Sequence, residues 1–245
     1  MTTDGQVTEP KPAPQGIYNF IHGTVRMLVH TLWRYTVTGQ ENLPAQGPYL
    51  VVTNHLSVFD APLVFANVTG RAVMFGADKW RRTPGVKQLL EAVGVIWVTR
   101  GEADTDAMKG ALRVLKSGRI LGVAPEGTRS PTGALIQGKP GAAYLADRAK
   151  VPLIPMAITG TEDIAANWKR LRRPKVHCRI GPAFTLPGDG RAKGPRLDEF
   201  TDQIMCTLAA MLPPEYRGVY ADHPLLREMV REPRGAREPQ PQPQA

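Results

Sequence analysis

A histidine and an aspartate follow the first strongly apolar run of the chain at a spacing that suits acid–base chemistry. The run Tyr49–Thr53 leads into Asn54 and His55, and Asp60 lies five positions after the histidine. In one continuous helix, positions five apart are separated by about 140° around the axis, so the two side chains would diverge. They can meet when His55 lies in a loop and Asp60 in the first turn of the next helix. Ser57, three residues before Asp60, resembles the start of a capping box and predicts that break.

The His55–Asp60 pair has two interpretations. In the first, His55 accepts a hydroxyl proton as a general base, while Asp60 fixes the imidazole tautomer and stabilises the imidazolium. This arrangement is a Ser-His-Asp triad without the serine, so the attacking hydroxyl would come from the substrate. In the second, Asp60 caps a helix and His55 is a hydrogen-bonded loop residue. Location favours the first, because ligands of open α/β sheets collect beyond the carboxyl ends of strands.

A second polar turn, after the apolar run 120–124, carries residue types that bind phosphate. Gly127 lets the backbone approach a ligand, Thr128 offers a hydroxyl and Arg129 offers a planar guanidinium, with Glu126 beside them. The alternative is a surface turn that contains a Glu–Arg ion pair.

Two further cations follow apolar runs. Lys79 comes after 72–77, and Arg100 directly follows 95–99. Each is a weak signal alone, because basic residues at strand ends are usually solvated. The carboxyl ends of parallel strands meet at one edge of a sheet, so these cations would lie near His55 and the 126–129 turn. We therefore expect a general base beside a cationic phosphate site.

Apolar runs alternate with helical patterns along the chain. This alternation predicts an α/β fold, with a mainly parallel or mixed sheet flanked by helices, in a single domain over 16–230. Apolar residues at helical spacing also predict an N-terminal amphipathic helix over 16–38. The polar, Pro-rich ends 1–15 and 231–245 are predicted to be disordered tails. We expect strands at 49–53, 72–77, 95–99, 120–124, 151–159 and 176–180, and helices over 84–93, 104–117, 140–150 and 197–212.

Composition excludes several classes of protein. The chain has 245 residues of which 42% are hydrophobic, so it is neither wholly disordered nor collagen-like. Its two cysteines cannot build a disulfide framework or a Cys-rich zinc site, and we expect no metal centre. The sequence shows no signal-peptide pattern and no apolar run of roughly 18 residues, so an intracellular location is expected. The net charge of +9 suits nucleic acid, an anionic membrane or a phosphorylated substrate.

Part of this charge is concentrated in the segment 168–175, which has five basic residues and no acidic one. Each basic residue near an anionic leaflet adds about 1 kcal/mol of attraction. With the amphipathic helix, the segment predicts peripheral binding to an anionic membrane surface; docking of that helix on the core is the alternative. Nucleic-acid binding is disfavoured, because no nucleic-acid motif is present and the basic residues lack interleaved aromatics beyond Trp168.

Four ordered blocks of the chain resemble the 1-acyl-glycerol-3-phosphate acyltransferases of the glycerolipid acyltransferase superfamily. The resemblance covers about residues 40–185, and Ala124 departs from it, because the family usually has a bulky aromatic residue there. Lys79, Lys139 and Thr161 lie in shorter flanking matches. The blocks are Asn54-His55-x-x-x-x-Asp60, Gly94-x-Ile96-x-Val98-x-Arg100, Pro125-Glu126-Gly127-Thr128-Arg129-Ser130 and Val151-Pro152-Leu153-Ile154-Pro155-Met156-Ala157-Ile158.

The resemblance implies transfer of a fatty acyl group from acyl-CoA or acyl carrier protein to lysophosphatidate, giving phosphatidic acid without a further cofactor. It also implies a cytoplasmic protein held peripherally at the inner face of the cell membrane. A relative that acylates another lipid hydroxyl is an alternative; a hydrolase is disfavoured by the missing G-x-S-x-G. Backbone N–H groups at the Ser57 turn are candidates for stabilising the oxyanion. The implied roles are His55 as base, Asp60 as its partner, and Lys79, Arg100, Glu126, Gly127, Thr128 and Arg129 as the phosphate site.

Overall fold

A seven-stranded sheet with helices on both faces forms the protein. The computed structural model describes residues 13–99 and 104–231. The strands are β1 Arg34–Thr38, β2 Tyr49–Thr53, β3 Ala72–Ala77, β4 Val95–Val98, β5 Ile120–Val123, β6 Leu153–Thr159 and β7 Lys175–Ile180. The helices are α1 Gln15–Leu32, α2 Asp60–Asn67, α3 Val86–Val93, α4 Thr105–Lys116, α5 Gly141–Ala149, α6 Ile164–Lys169, α7 Pro195–Met211 and α8 Pro224–Arg231.

The sheet is mixed, with the order β1-β7-β6-β2-β5-β3-β4. The five strands from β6 to β4 in this order are mutually parallel, whereas β7 is antiparallel to β6 and β1 is parallel to β7. The predicted mainly parallel or mixed sheet is therefore confirmed. Val52 of β2 pairs with Val123 of β5, so the loops that follow these two strands leave the sheet side by side.

The central strand β2 is buried on both faces, as expected of a parallel strand covered by helices. Leu50 and Val52 face one apolar cluster, to which α4, α5 and α7 contribute. Tyr49 and Val51 face a second cluster, to which α1 and α2 contribute. Full burial of each such aliphatic side chain contributes roughly 1.5–3 kcal/mol, which fixes the end of β2 where the site begins.

The N-terminal helix is shorter than predicted. It ends at Leu32, and Arg34–Thr38 form the edge strand β1, which pairs with β7. Tyr35 fits both the helical period of α1 and the alternation of β1, where it and Val37 are half-buried between exposed neighbours. The pairing partner lies about 140 residues away, so no local pattern indicated the strand. At the start of the chain, Gln15 of the predicted tail already belongs to α1, and the Ala13 N–H donates to the Ala92 carbonyl at 2.9 Å. Arg231 is the last residue of α8, and the predicted tail residues 1–12 and 232–245 lie outside the described ones.

Helix α1 docks on the core and also keeps an apolar face exposed. Tyr18 and Val29 are buried, and the Tyr18 hydroxyl donates to the Gly70 carbonyl at 3.1 Å. Arg173 donates to the His30 carbonyl at 3.0 Å, which ties the basic segment to the end of the helix. Among the described residues, none of the helices has the length and apolarity needed to cross a bilayer. The exposed apolar side chains of α1 are Ile17, Phe20, Met27, Leu28 and Leu32.

Candidate active site

The His55 and Asp60 side chains meet at the carboxyl end of β2. Asp60 begins α2, and His55 lies in the loop before it, so the geometry expected from their spacing is present. The His55 Nδ1 atom lies 2.7 Å from Asp60 Oδ2. The same carboxylate oxygen accepts the backbone N–H of Leu56 at 2.7 Å and of Ser57 at 2.8 Å. The loop therefore folds around the carboxylate, which is only 2% exposed.

Thr161, directly beyond β6, supplies a further contact to this pair. Its hydroxyl donates to Asp60 Oδ1 at 2.5 Å, and the residue is 1% exposed. The buried carboxylate thus accepts four hydrogen bonds, which is what a buried charge requires. With Nδ1–H directed at Asp60, the Nε2 atom of His55 carries the lone pair that a general base needs. Thr161 is 101 positions from Asp60, and its short flanking match to the family did not indicate this contact.

Replacing Thr161 with valine is expected to lower kcat by roughly tenfold and stability by about 1–3 kcal/mol, because one Asp60 oxygen loses its donor. Thr161→Ser keeps the hydroxyl and serves as the matched control, with kcat near the wild-type value. Steady-state kinetics and thermal unfolding measure the two effects. A valine variant that is less stable yet turns over at the wild-type rate would limit Thr161 to a structural role.

Glu126 holds the loop that carries His55 in place. Its Oε1 accepts the His55 N–H at 2.7 Å, and its Oε2 accepts the Ile136 N–H at 3.0 Å. Burial raises the pKa of the Glu126 carboxyl, and these two N–H groups act in the opposite direction. The residue is 1% exposed. Glu126 was expected to contact a phosphate, but both of its carboxylate oxygens accept backbone N–H groups, so it positions the loop instead. The sequence alone could not show that this turn residue is buried.

Asn54 links the same loop to the neighbouring strand. Its side-chain amide donates to the Ile158 carbonyl at 2.8 Å and accepts the Ile158 N–H at 2.8 Å. Asn54 is 1% exposed, so this pair of bonds joins β2 to β6 within the core. The asparagine before His55 thus has a positioning role that its place in the motif did not reveal.

A cavity of about 760 Å³ opens beside His55. Asp60 and Gly127 line it next to the histidine, and its remaining wall is largely apolar. A pocket of this size with few polar groups suits a substrate that has a polar head and an alkyl chain. The apolar side chains in the wall include Met74, Phe75, Val98, Met108, Leu145 and Leu197.

The predicted phosphate-binding residues take different positions. Gly127, with φ of +67°, lies on the cavity wall. Arg129 is exposed and forms no ion pair with the described residues, so the Glu–Arg pair considered as an alternative is not formed. Lys79 is also exposed, with its ammonium 5.3 Å from the ring centre of Trp80. Arg129, Lys79 and the half-buried Thr128 do not line the cavity. Arg100 lies outside the described residues.

A family model described as Acyltransferase matches residues 34–159, slightly more than half of the chain. The chain belongs to the acyltransferase family. A family member from Homo sapiens, 1-acyl-sn-glycerol-3-phosphate acyltransferase alpha, is 30% identical over 173 residues, 67% of this chain and 60% of the relative. The 1-acyl-sn-glycerol-3-phosphate acyltransferase of Borreliella burgdorferi is 29% identical over 140 residues, 54% of this chain and 56% of that protein.

A solved acyltransferase shares the fold. The crystal structure of the 1-acyl-sn-glycerophosphate (LPA) acyltransferase PlsC from Thermotoga maritima superposes with a TM-score of 0.62 at 25% identity. The match covers 77% of this chain and 76% of that chain. By contrast, the chain spans 60% and 56% of the human and Borreliella relatives.

Proposed function

We propose that this acyltransferase moves a fatty acyl group from a thioester to the free hydroxyl of 1-acyl-glycerol-3-phosphate, giving phosphatidic acid. The observation that carries the proposal is the buried Asp60 carboxylate bonded to Nδ1 of a histidine that lines a largely apolar cavity. The names of the similar proteins support lysophosphatidate as the acceptor. The donor is acyl-CoA or acyl carrier protein, and the reaction requires no other cofactor.

The proposed chemistry is direct transfer. The acceptor hydroxyl donates to His55 Nε2, which takes its proton as the oxygen attacks the thioester carbonyl carbon. The C–S bond of the tetrahedral intermediate then breaks, and the imidazolium returns the proton to the departing sulfur. Asp60 stabilises the imidazolium between these steps. The N–H groups of Leu56 and Ser57 are bonded to Asp60, so the expectation that this turn stabilises the oxyanion is not retained.

The contacts of the nearby serines support a reaction without an acyl-enzyme. The Ser57 hydroxyl oxygen accepts the Phe59 N–H at 3.3 Å, and the Ser130 hydroxyl donates to the Ala134 carbonyl at 2.5 Å. Both side chains are thus engaged in local turns instead of with His55. Mass spectrometry after rapid quenching tests this step, and an acyl group trapped on either serine would contradict direct transfer.

For the acceptor phosphate we propose a site around the turn after β5. Gly127 lies on the cavity wall and has no side chain there, so a phosphate can approach the backbone of the turn. Glu126 fixes this turn to the backbone of His55. Guanidinium groups bind phosphate through paired donors, which suits the exposed Arg129 side chain. The proposed phosphate contacts are Arg129, Thr128, Arg100 and Lys79.

An acyl-transfer assay with the purified full chain tests the function. Lysophosphatidate, glycerol-3-phosphate and 1-acylglycerol are offered as acceptors, with acyl-CoA or acyl carrier protein thioester as donor. We expect phosphatidic acid from lysophosphatidate at a kcat/KM well above that for the other two acceptors. Failure with lysophosphatidate and both donors, together with transfer to another lipid hydroxyl, would favour the alternative acceptor class.

We further propose peripheral association with the inner, anionic face of the cell membrane. The exposed apolar face of α1 would enter the lipid, and the basic segment 168–175 would face the headgroups. Phe20 and Met27 are 75% and 60% exposed, although docked helices normally bury side chains of this kind. Arg173 connects the two surfaces through its bond to the His30 carbonyl.

The double variant Phe20→Ser/Met27→Ser is expected to reduce vesicle binding by roughly tenfold, because two apolar side chains no longer enter the lipid. Flotation with vesicles of stated phosphatidylglycerol content measures it, and added salt should weaken wild-type binding. Val230→Ser, at an exposed position of α8, is the matched control. The proposal would be refuted if the fraction of protein bound to vesicles did not depend on anionic lipid content, on salt or on the double substitution.

A further inference from the structure

The acceptor phosphate must lie close to His55. In lysophosphatidate the free hydroxyl and the phosphate are borne by neighbouring carbons of the glycerol. A hydroxyl in reach of Nε2 therefore brings the phosphate into the same cavity, where a cation should meet it. Among the described lysine side chains, Lys109 and Lys139 line this cavity, whereas Lys79 does not.

The backbone of Lys139 is fixed against the turn that follows β5. Its N–H donates to the Pro125 carbonyl at 2.8 Å, beside the bond from Ile136 to the Glu126 carboxylate. The preceding residue, Gly138, donates its N–H to the buried Tyr220 hydroxyl at 3.0 Å. Glu126 accepts the backbone N–H groups of both His55 and Ile136. The backbone before Lys139 is therefore fixed to the same carboxylate that positions His55.

The side chain of Lys139 extends across Gly127. A Cβ atom at Gly127 would lie 3.0 Å from Lys139 Cδ and 3.4 Å from its Nζ. The glycine thus leaves room for the lysine, and the ammonium lies over the turn proposed to receive the phosphate. A side chain at this position would also be strained by the φ of +67°.

The charge of Lys139 is available for an anion. It forms no ion pair with the acidic residues that the structure describes. Lys109, in contrast, lies 3.2 Å from Asp106 on its own helix. Asp104, an acidic residue of the cavity wall, accepts the Ala107 N–H at 2.8 Å and so caps α4.

We propose that Lys139 binds the acceptor's phosphate in the cavity and thereby selects a phosphorylated lysolipid. The assignment rests on the proposed function and adds a residue to the phosphate site. An ammonium is a compact point charge that bonds phosphate without a fixed geometry, so it suits a phosphate that must turn while the hydroxyl reaches Nε2.

Lys139→Met tests the proposal, because it keeps the unbranched chain and removes the charge. We expect the KM for lysophosphatidate to rise at least about tenfold, the order expected from a lost charge-assisted hydrogen bond. The KM for the thioester donor should stay within about twofold. Lys139→Arg should recover most of the loss, and Lys116→Met removes the same charge from an exposed position of α4 as the matched control.

Two acceptors separate phosphate binding from a structural effect. The ratio of kcat/KM for lysophosphatidate to that for 1-acylglycerol, which lacks the phosphate, should fall about tenfold in Lys139→Met. An equal loss with both acceptors, or an increase in donor KM alone, would overturn the assignment to the acceptor phosphate. Wild-type enzyme without activity on lysophosphatidate would instead refute the proposed function, so the two failures are distinguishable.

Discussion

Replacing His55 with alanine is expected to reduce acyl transfer by about 10³-fold or more, because it removes the group that takes and returns the proton. The reduction should appear in kcat with both donors, since the same imidazole serves each step of the proposed mechanism. The acceptor KM should change little, because the histidine contacts the reacting hydroxyl, whereas other residues of the site bind the phosphate. Steady-state rates over a range of acceptor concentrations separate the two parameters.

The structure indicates that the His55→Ala variant will fold. Asp60 keeps the backbone N–H groups of Leu56 and Ser57 and the Thr161 hydroxyl, so its buried charge retains three donors. Circular dichroism and thermal unfolding provide the check. His177→Ala, at an exposed position of β7, is the matched control and should retain full activity. A folded His55→Ala variant with a near-wild-type rate would remove His55 from the role of base.

The central sheet was predictable from sequence because its strands are short, continuously apolar runs with clear polar boundaries. The predicted strands and the four internal helices agree with the structure to within two residues. Strand β1 was missed because it is an edge strand, stabilised by pairing with β7 far along the chain. Helix α3 starts at Val86, two residues later than predicted, because the Gln88 side chain accepts the Gly85 N–H at 2.7 Å.

The candidate site was predictable only where its parts are close in sequence. His55 lies in the loop before α2 and Asp60 begins that helix, so spacing and a capping pattern were enough to place them together. Thr161 and Lys139 reach the site from other elements, and their short flanking matches to the family indicated no role for either residue. For Glu126, the local sequence showed the motif but not the role. Its burial and its backbone contacts depend on the pairing of β2 with β5, which places the loops after these strands side by side.

Replacing Asp60 with asparagine is expected to lower kcat by about 10²- to 10⁴-fold with little loss of structure. The amide oxygen can take the position of Oδ2 and accept from His55, Leu56 and Ser57 as the carboxylate does. The amide nitrogen then faces the Thr161 hydroxyl, which can rotate to accept. The variant therefore removes the negative charge that stabilises the imidazolium and preserves the hydrogen-bond geometry. Asp60→Ala would instead leave buried donors without an acceptor and destabilise the fold.

Steady-state kinetics and thermal unfolding of Asp60→Asn distinguish a catalytic from a structural role, with Asp163→Asn, at an exposed position before α6, as the matched control.

A double variant tests whether Asp60 acts through His55. If it does, replacing Asp60 does not lower the transfer rate further once the imidazole has been removed. The double variant His55→Ala/Asp60→Asn should therefore be no slower than His55→Ala alone, because residues that act as a unit are not additive. A double variant slower by the product of the two single effects would show that the carboxylate assists transfer independently of the histidine. A folded Asp60→Asn variant within threefold of wild type would leave the carboxylate only a structural role.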